Sequence, residues 1–490
     1  MCEAAVAWAL YLQTVASFGR MTGNSDVTRL GKACRPYSHY SGTHDSSPDC
    51  ELFGDGRRLS PSSLAVRQGI SDRLCGLGSQ FKSELLMRRL LITLALMSCI
   101  IHSRLQSQEQ QTNAAGHYLF AWTGDAAHKG NDFLAVIDAD PASKSYGQLM
   151  TTLATDQQTV RVHHTEYVMP ASGMLFANDH DAGRTFIFDL RDPLHPKTVT
   201  SFTDMAGYMH PHSYLRLPNG HVLATFQHVH HGEGDGQMGG SGGLVEIDDQ
   251  GKLVRSASSQ DPAFTGALLT PYSLAVLPEL DRVISTNSSM DQVNAFSGVT
   301  YQVWRLSDLK LLKTANLDVD KNLYGHVSPE EARLGPDGAV YIQTLGCGIE
   351  RVTDLDKEQP TSKLVYTFPG SFCGVPTIVG HYLIQSVPLM QGLIALDISN
   401  GNKPVEVSRL KLNDDFFSHW TGWDAKTERL VVTGNQARLY LVKLDQSTGA
   451  LTMDNAFHDS NGKPGFDFAN RNWPHGWTGT GQPHGVVFSR

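Results

Sequence analysis

The sequence predicts an all-β protein, a single seven-bladed β-propeller closed by pairing of its N- and C-terminal strands. Three observations predict it. From His117 onward, short apolar runs alternate with Gly, Pro, Asn and Ser turns, with no sustained helical period. A similar unit recurs seven times in about 375 residues. The two ends of the chain hold complementary parts of one unit.

Bulk composition sets the frame. The chain has 490 residues, 40% hydrophobic and 18% charged, enough apolar material for a large core. Its formal net charge is −9 and it has no basic run, which argues against a nucleic-acid surface. Five of seven cysteines precede residue 100, and the remaining two, Cys347 and Cys373, are expected to be lone thiols. The 21 histidines are the unusual count, and most of the functional argument follows from where they fall.

Met87 opens MRRLLITLALMSCIIHS, in which Arg88 and Arg89 precede an apolar stretch from Leu90 to Ile101. This is the layout of a secretory signal peptide and is short for a membrane span. Residues 1–86 show no sustained period and are expected to be an over-extended or disordered N-terminus, residues 87–105 a signal-like segment, and 114–490 the propeller. Leu96-Met97-Ser98-Cys99 also resembles a lipobox, which would make Cys99 a lipid anchor. Either way the expected location is periplasmic or secreted, with no membrane span in the mature form.

The seven recurring stretches begin near His164, His212, Tyr272, Glu330-Glu331, Cys373, His419 and His475. Each is followed by a turn and a second strand, such as Pro218-Asn219-Gly220 before Val222–Phe226. Third strands ending near an acid follow, as in Phe186–Asp189 and Gly392–Asp397, and a more polar fourth strand closes the unit. Units four and five align loosely. The last unit supplies an inner strand and His117–Leu153 supplies outer ones, so the ends together complete one blade without a free sheet edge.

The first strand of each blade lines the channel, so equivalent positions form a ring. Ten residues separate His164 from Met174, His212 from Val222, Tyr272 from Arg282 and His419 from Arg429. That alignment puts His164, His212, His419 and His475 at one level as metal ligands, with Tyr272 as the fifth member. Copper, iron and zinc all accept neutral imidazole. His484 rivals His475, because Pro483-His484-Gly485 echoes Pro211-His212-Ser213. His163 and His210 are reserves, since a regular strand turns His163 to the opposite face and only a bulge would bring it in. His326, upstream of blade four, is a further reserve. Tyr272 and Glu331 are the candidate proton-handling residues, and Glu166 and Glu331 candidate supports for the ligands. Gln227-His-Val-His-His231 and Gly232–Gly243 are read as a strand end and loop, and the glycine run lacks a phosphate-binding lysine spacing.

His163-His164-Thr-Glu-Tyr, Phe133–Pro141, Phe188-Asp-Leu-Arg-Asp-Pro-Leu-His-Pro196, Leu396–Pro404 and the terminal His475-Gly together resemble the selenium-binding protein, or methanethiol oxidase, family. The resemblance spans most of residues 117–490 and is distant. It implies a propeller whose bacterial oxidase members are exported copper enzymes, converting methanethiol and oxygen to formaldehyde, hydrogen sulfide and hydrogen peroxide. Selenium-carrying members have a cysteine cluster soon after the double histidine. Val168–Gly173 has none here, which sets selenium binding aside.

The expected function is therefore an exported metal-dependent oxidoreductase, with copper at the axial histidines and a small molecule such as a thiol as substrate. The alternative is a non-catalytic binding or scaffold propeller. A calcium-dependent lactonase ranks last, because it would want a ring of Glu, Asp and Asn.

Overall fold

The computed structural model describes residues 116–229, 240–264, 268–290, 298–318, 327–370 and 372–490. The N-terminal and signal-like expectations, Cys99, His326 and most of the glycine run lie outside the described residues. Among the described residues no helix is long and apolar enough to cross a membrane.

Among the described residues seven antiparallel sheets form the blades, six of four strands and one, blade 6, of five, where Phe466–Asp467 also pairs with Arg438–Leu444. Blade 1 runs Val162–Thr165, Met174–Asp179, Arg184–Asp189 and Lys197–Phe202. Blade 2 follows with Tyr208–Arg216, Val222–Val229, Gly243–Ile247 and Leu253–Ser258, and blade 3 with Pro271–Leu277, Arg282–Asn287, Thr300–Arg305 and Leu311–Asn316. Blade 4 comprises Pro329–Leu334, Val340–Thr344, Gly348–Thr353 and Thr361–Thr367; blade 5 comprises Thr377–Val379, Tyr382–Val387, Gly392–Asp397 and Val405–Lys411. Blade 6 contains Ser418–Asp424, Arg429–Gly434, Arg438–Leu444 and Leu451–Met453.

Blade 7 closes the ring as the sequence predicts. Its inner strand is the C-terminal Gly481–Phe488, which pairs antiparallel with Tyr118–Asp125, followed by Asn131–Asp138 and Leu149–Gln158. Leu119 faces Phe488 and Ala121 faces Val486 in that register.

The core is a set of sandwiches between neighbouring blades. In Tyr118–Asp125, Leu119 and Ala121 pack with Trp420 and Val431 of blade 6, whereas Phe120 and Trp122 pack with Leu175 and Phe186 of blade 1. Side chains alternate across a strand, so a blade covered on both faces needs apolar residues at successive positions. That is why the middle strands are continuous apolar runs, while fourth strands such as Val405–Lys411 alternate between exposed and half-buried.

One expectation is corrected here. Cys347 and Cys373 form a disulfide and are fully buried. The backbone explains the meeting: Cys373 N–H donates to Leu345 O at 3.1 Å, returning the chain that enters blade 5 to the turn holding Cys347. Sequence spacing of 26 residues carries no hint of that return.

Candidate metal centre

Six inner strands break their pairing at the same place. Between Val162 and Thr165, residues His163 and His164 oppose the single residue Asn178. The same two-against-one step holds His212-Ser213 in blade 2, Tyr272-Ser273 in blade 3 and Glu330-Glu331 in blade 4. It recurs at His419-Trp420 in blade 6 and His484-Gly485 in blade 7. Such bulges re-aim side chains, overriding the period-two rule.

Polar residues on second strands fasten the bulges. Asn178 Oδ1 accepts from His164 N–H at 2.8 Å, Thr225 Oγ1 from Ser213 N–H at 2.9 Å, and Thr286 Oγ1 from Ser273 N–H at 3.0 Å. Each also reaches the next blade: Asn178 donates to Pro211 O, Thr225 to Tyr272 O and Thr286 to Glu330 O. Further round, Thr433 Oγ1 donates to His484 O at 2.6 Å and Trp122 Nε1 to Asn178 O at 2.7 Å. Gly485 is required by crowding at the seam, since a Cβ there would lie 2.6 Å from Thr165 N.

The bulges create two tiers. The first residues of the pairs are His163, His212, Tyr272, Glu330, His419 and His484. All except His212 line a cavity of about 440 Å³, whose walls also include Arg161, Met290, Leu345 and Phe372. The second residues form a deeper tier, where His164 Nδ1 lies 3.3 Å from Ser213 Oγ and His164 Nε2 lies 3.9 Å from Glu331 Oε1.

The histidines converge. Ring centres are 4.1 Å apart for His163 and His164, 4.4 Å for His163 and His484, 4.5 Å for His164 and His212, and 4.8 Å for His419 and His484. Ligand nitrogens of His163, His164 and His484 all lie within 4.8 Å of one another. Within this cluster five buried imidazole nitrogens have no hydrogen-bond partner: His163 Nδ1, His164 Nε2, His212 Nε2, His419 Nδ1 and His484 Nδ1. Glu331 Oε1 is likewise unpartnered. Unpaired buried polar atoms are costly, and the grouping of those on His163, His164 and His484 fits a bound cation.

Electrostatics agree. Burial, reinforced by neighbouring imidazoles, holds His163, His164, His212 and His484 well below the usual histidine range. Burial lowers His419 too, against the pull of Glu331. Neutral imidazole is the ligating form. His212 Nδ1–H donates to Tyr272 O at 2.9 Å, which leaves Nε2 as its ligand nitrogen.

The expected site residues fall into place unequally. His164, His212 and His419 join the cluster, as do the reserves His163 and His484. His475 does not: its Nδ1 lies 2.8 Å from Thr152 Oγ1 and its ring stacks near Phe133 and Trp477. The cause is blade 7's split, because the second strand against which His475 should align comes from the N-terminus. His210 lies outside the cluster, with Nδ1 3.2 Å from His180 O. The Tyr272 ring centre lies 3.7 Å from that of His212 with the rings tilted by 38°, and burial followed by Glu330 raises its hydroxyl well above the usual range.

Glu331 sits below the cavity, its Oε2 accepting from Tyr167 at 2.7 Å, Ser273 at 2.9 Å and Arg333 at 3.0 Å. Glu330 lies on the cavity wall, pushed well above its usual range by burial and then by Glu331. Glu166 pairs with Arg216 instead of with a ring histidine. Residues that the sequence reading passed over are His180, Phe372 and Arg161. A proline signal was available for the ring: Pro211, Pro271, Pro329 and Pro483 immediately precede His212, Tyr272, Glu330 and His484.

Comparison with known proteins adds a family to this geometry. Over 219 residues the chain is 28% identical to a methanethiol oxidase of Hyphomicrobium sp., covering 41% of this chain and 48% of that one. Over 144 residues it is 28% identical to a methanethiol oxidase of Ruegeria pomeroyi, covering 28% and 31% respectively. Over these segments the chain is similar to both methanethiol oxidases. The matched segments span less than half the length of either oxidase. No protein-family model matches.

Among solved structures, a hypothetical selenium-binding protein from Sulfolobus tokodaii aligns at TM-score 0.59 and 16% identity, over 76% of this chain and 93% of that one. A periplasmic gluconolactonase of Pseudomonas aeruginosa aligns at 0.52 and 11%, over 76% and 99%. These two likenesses are of fold alone.

Proposed function

We propose that this protein is an exported, metal-dependent oxidoreductase that oxidises a small thiol with oxygen, in the manner of a copper methanethiol oxidase. The observation that carries the reading is the group of five unpartnered imidazole nitrogens above Glu331. His163, His164 and His484 would hold the ion, with His212 and His419 beside them. The donor set suits copper, and also iron or zinc. A bound copper ion would supply the one-electron chemistry that a thiol and oxygen lack on their own.

The chain's own groups would do the rest. Met290, Leu345 and Phe372 offer an apolar wall for an alkyl group. Glu330, kept protonated by burial, would donate a proton to atoms in the cavity, and Tyr272, which burial keeps as a hydroxyl, would offer them a hydrogen bond. Arg333, whose guanidinium lies 3.9 Å over the Tyr167 ring, holds Glu331 in place so that Oε1 stays directed at His164. The signal-like segment from Met87 supports export.

The test is elemental analysis of tag-free protein together with methanethiol-dependent oxygen uptake. The proposal expects close to one tightly held copper per chain and uptake that is lost in His163→Ala. A metal-free protein with no uptake would leave the scaffold reading standing.

A further inference from the structure

The cavity at the histidines is far larger than methanethiol. That thiol has two heavy atoms and fills roughly 60 Å³, taking about 30 Å³ for each, as for a water molecule. The cavity holds about 440 Å³, within the range of sites that enclose a much larger ligand. Its wall is divided by chemistry. Blades 3, 4 and 5 contribute Met290, Leu345 and Phe372, all apolar, whereas blades 6, 7 and 1 contribute Asn435, Gln482 and Arg161. Val160 and Val162 flank Arg161 on the polar side.

Arg161 is the one lysine or arginine among the described residues lining the cavity. The two acids on the wall do not cancel its charge. Asp125 already accepts from the Ala127, Lys129 and Gly130 N–H groups at 2.9, 2.9 and 2.7 Å, and burial keeps Glu330 protonated. Asp181, which is not part of the wall, pairs with Arg161 Nη2, and His180 Nδ1 lies 3.4 Å from the same atom. The side chains of that pair are 36% and 39% exposed, and ion pairs so open to water are weak.

The guanidinium has donors to spare. Its Nε is buried and has no hydrogen-bond partner. An unanswered buried donor is costly, and the five donors of a guanidinium form a planar fork that matches a carboxylate. The backbone beneath it is fixed: Arg161 N–H donates to Asp179 Oδ1 at 3.0 Å, and Arg161 O accepts from His180 N–H at 2.9 Å. The positive charge acts on His212, Tyr272 and His484, on blades 2, 3 and 7, so the head group stands beside the channel.

We propose that the cavity takes a mercaptocarboxylate of roughly six to ten heavy atoms, its sulfur at the histidines, its methylenes facing Met290 and Phe372, and its carboxylate on Arg161. The placing of the sulfur, and the reaction, rest on the oxidase reading; the carboxylate subsite does not. The reaction balances as it does for methanethiol: thiol, oxygen and water give an aldehyde acid, hydrogen sulfide and hydrogen peroxide. The C–S bond and one C–H bond break, a C=O bond forms with oxygen from water, and the two electrons lost by carbon reduce oxygen.

The experiment compares mercaptohexanoate with mercaptohexanol, which differ at the end remote from sulfur, by titration calorimetry on tag-free full chain. Oxygen uptake and hydrogen sulfide release are read with both and with methanethiol. The wild type should bind the carboxylate about ten-fold more tightly, the scale of one charge-assisted hydrogen bond. Arg161→Gln should abolish that preference, and Asp181→Asn, which removes the competing partner, should raise it; thermal melting checks both variants.

Equal affinity for the two thiols in the wild type, or a preference that survives in folded Arg161→Gln, would overturn the proposal. If Arg161→Gln does not fold, an unchanged preference in Asp181→Asn overturns it instead. Uptake with methanethiol but not with mercaptohexanoate would overturn it and leave the oxidase reading intact. An Arg161-dependent preference with no uptake from any thiol would support the carboxylate subsite and overturn the oxidase reading.

Discussion

The two halves of the inner ring are built alike and carry different chemistry. Blades 6, 7, 1 and 2, consecutive around the ring, place His419, His484, His163 and His212 in their bulges. Blades 3 and 4 place Tyr272 and Glu330 in the same bulge. Blade 5 has no described bulge: its inner strand is only Thr377–Val379, and the chain before it is tied down by the disulfide. There Gly374 comes so close to blade 6 that a Cβ would lie 2.4 Å from His419 O. The lesson is that one repeated backbone device presents an arc of imidazoles on four blades and a phenol and a carboxyl on the next two, with an apolar gap at blade 5.

The largest expected effect breaks the histidine arc. His484→Ala should lower metal affinity by more than the roughly 10- to 100-fold that loss of a mere supporting partner costs. His475→Ala, outside the cluster, should leave affinity unchanged; competition against a chelator measures both. The other arc should respond oppositely. Glu330→Gln should keep its metal and lose about 10²–10⁴-fold in turnover, measured as methanethiol-dependent oxygen uptake. Loss of metal in that variant would erase the distinction between the arcs.

The seam and the gap should show smaller effects. Gly485→Ala pushes a methyl against Thr165 N, and overpacking of this kind costs about 1–3 kcal/mol, readable by denaturant unfolding. Cys347→Ser should cost about 2–4 kcal/mol. It should also raise KM more than it lowers kcat, since Leu345 and Phe372 hang from that bridge.

A separate effect is a pH dependence away from the cavity. Burial, and then Asp179, push the Asp132 carboxyl from 3.8 up to about 9. Below its ordinary range both folded and unfolded forms are protonated, and Asp132 contributes no pH dependence. As pH rises toward 9 the unfolded chain ionises first, so stability falls through that window. Asp132→Asn should remove the fall, and its melting-temperature advantage over wild type should widen from pH 5 to pH 9. A constant offset would contradict the raised value.

Much of this was legible in the sequence. The strand runs, the Pro-Asn-Gly turns and the complementary ends predict seven blades and their closure, because strand length and turn chemistry are local. The ring was legible where a blade is continuous: ten-residue spacing finds His212, Tyr272 and His419. It slips by one position in blade 1, where His163 is the partner of His212, and fails in blade 7. A bulge breaks the period of two without leaving a local signal, apart from the prolines before it. The disulfide was hidden for a similar reason, since backbone hydrogen bonds between blades bring Cys347 and Cys373 together.

The most direct test is crystallographic. Anomalous difference maps recorded at the copper edge on protein loaded with one equivalent should show a single peak bounded by His163, His164 and His484. A peak at His475 and Thr152, or no peak in the channel at all, would contradict the account.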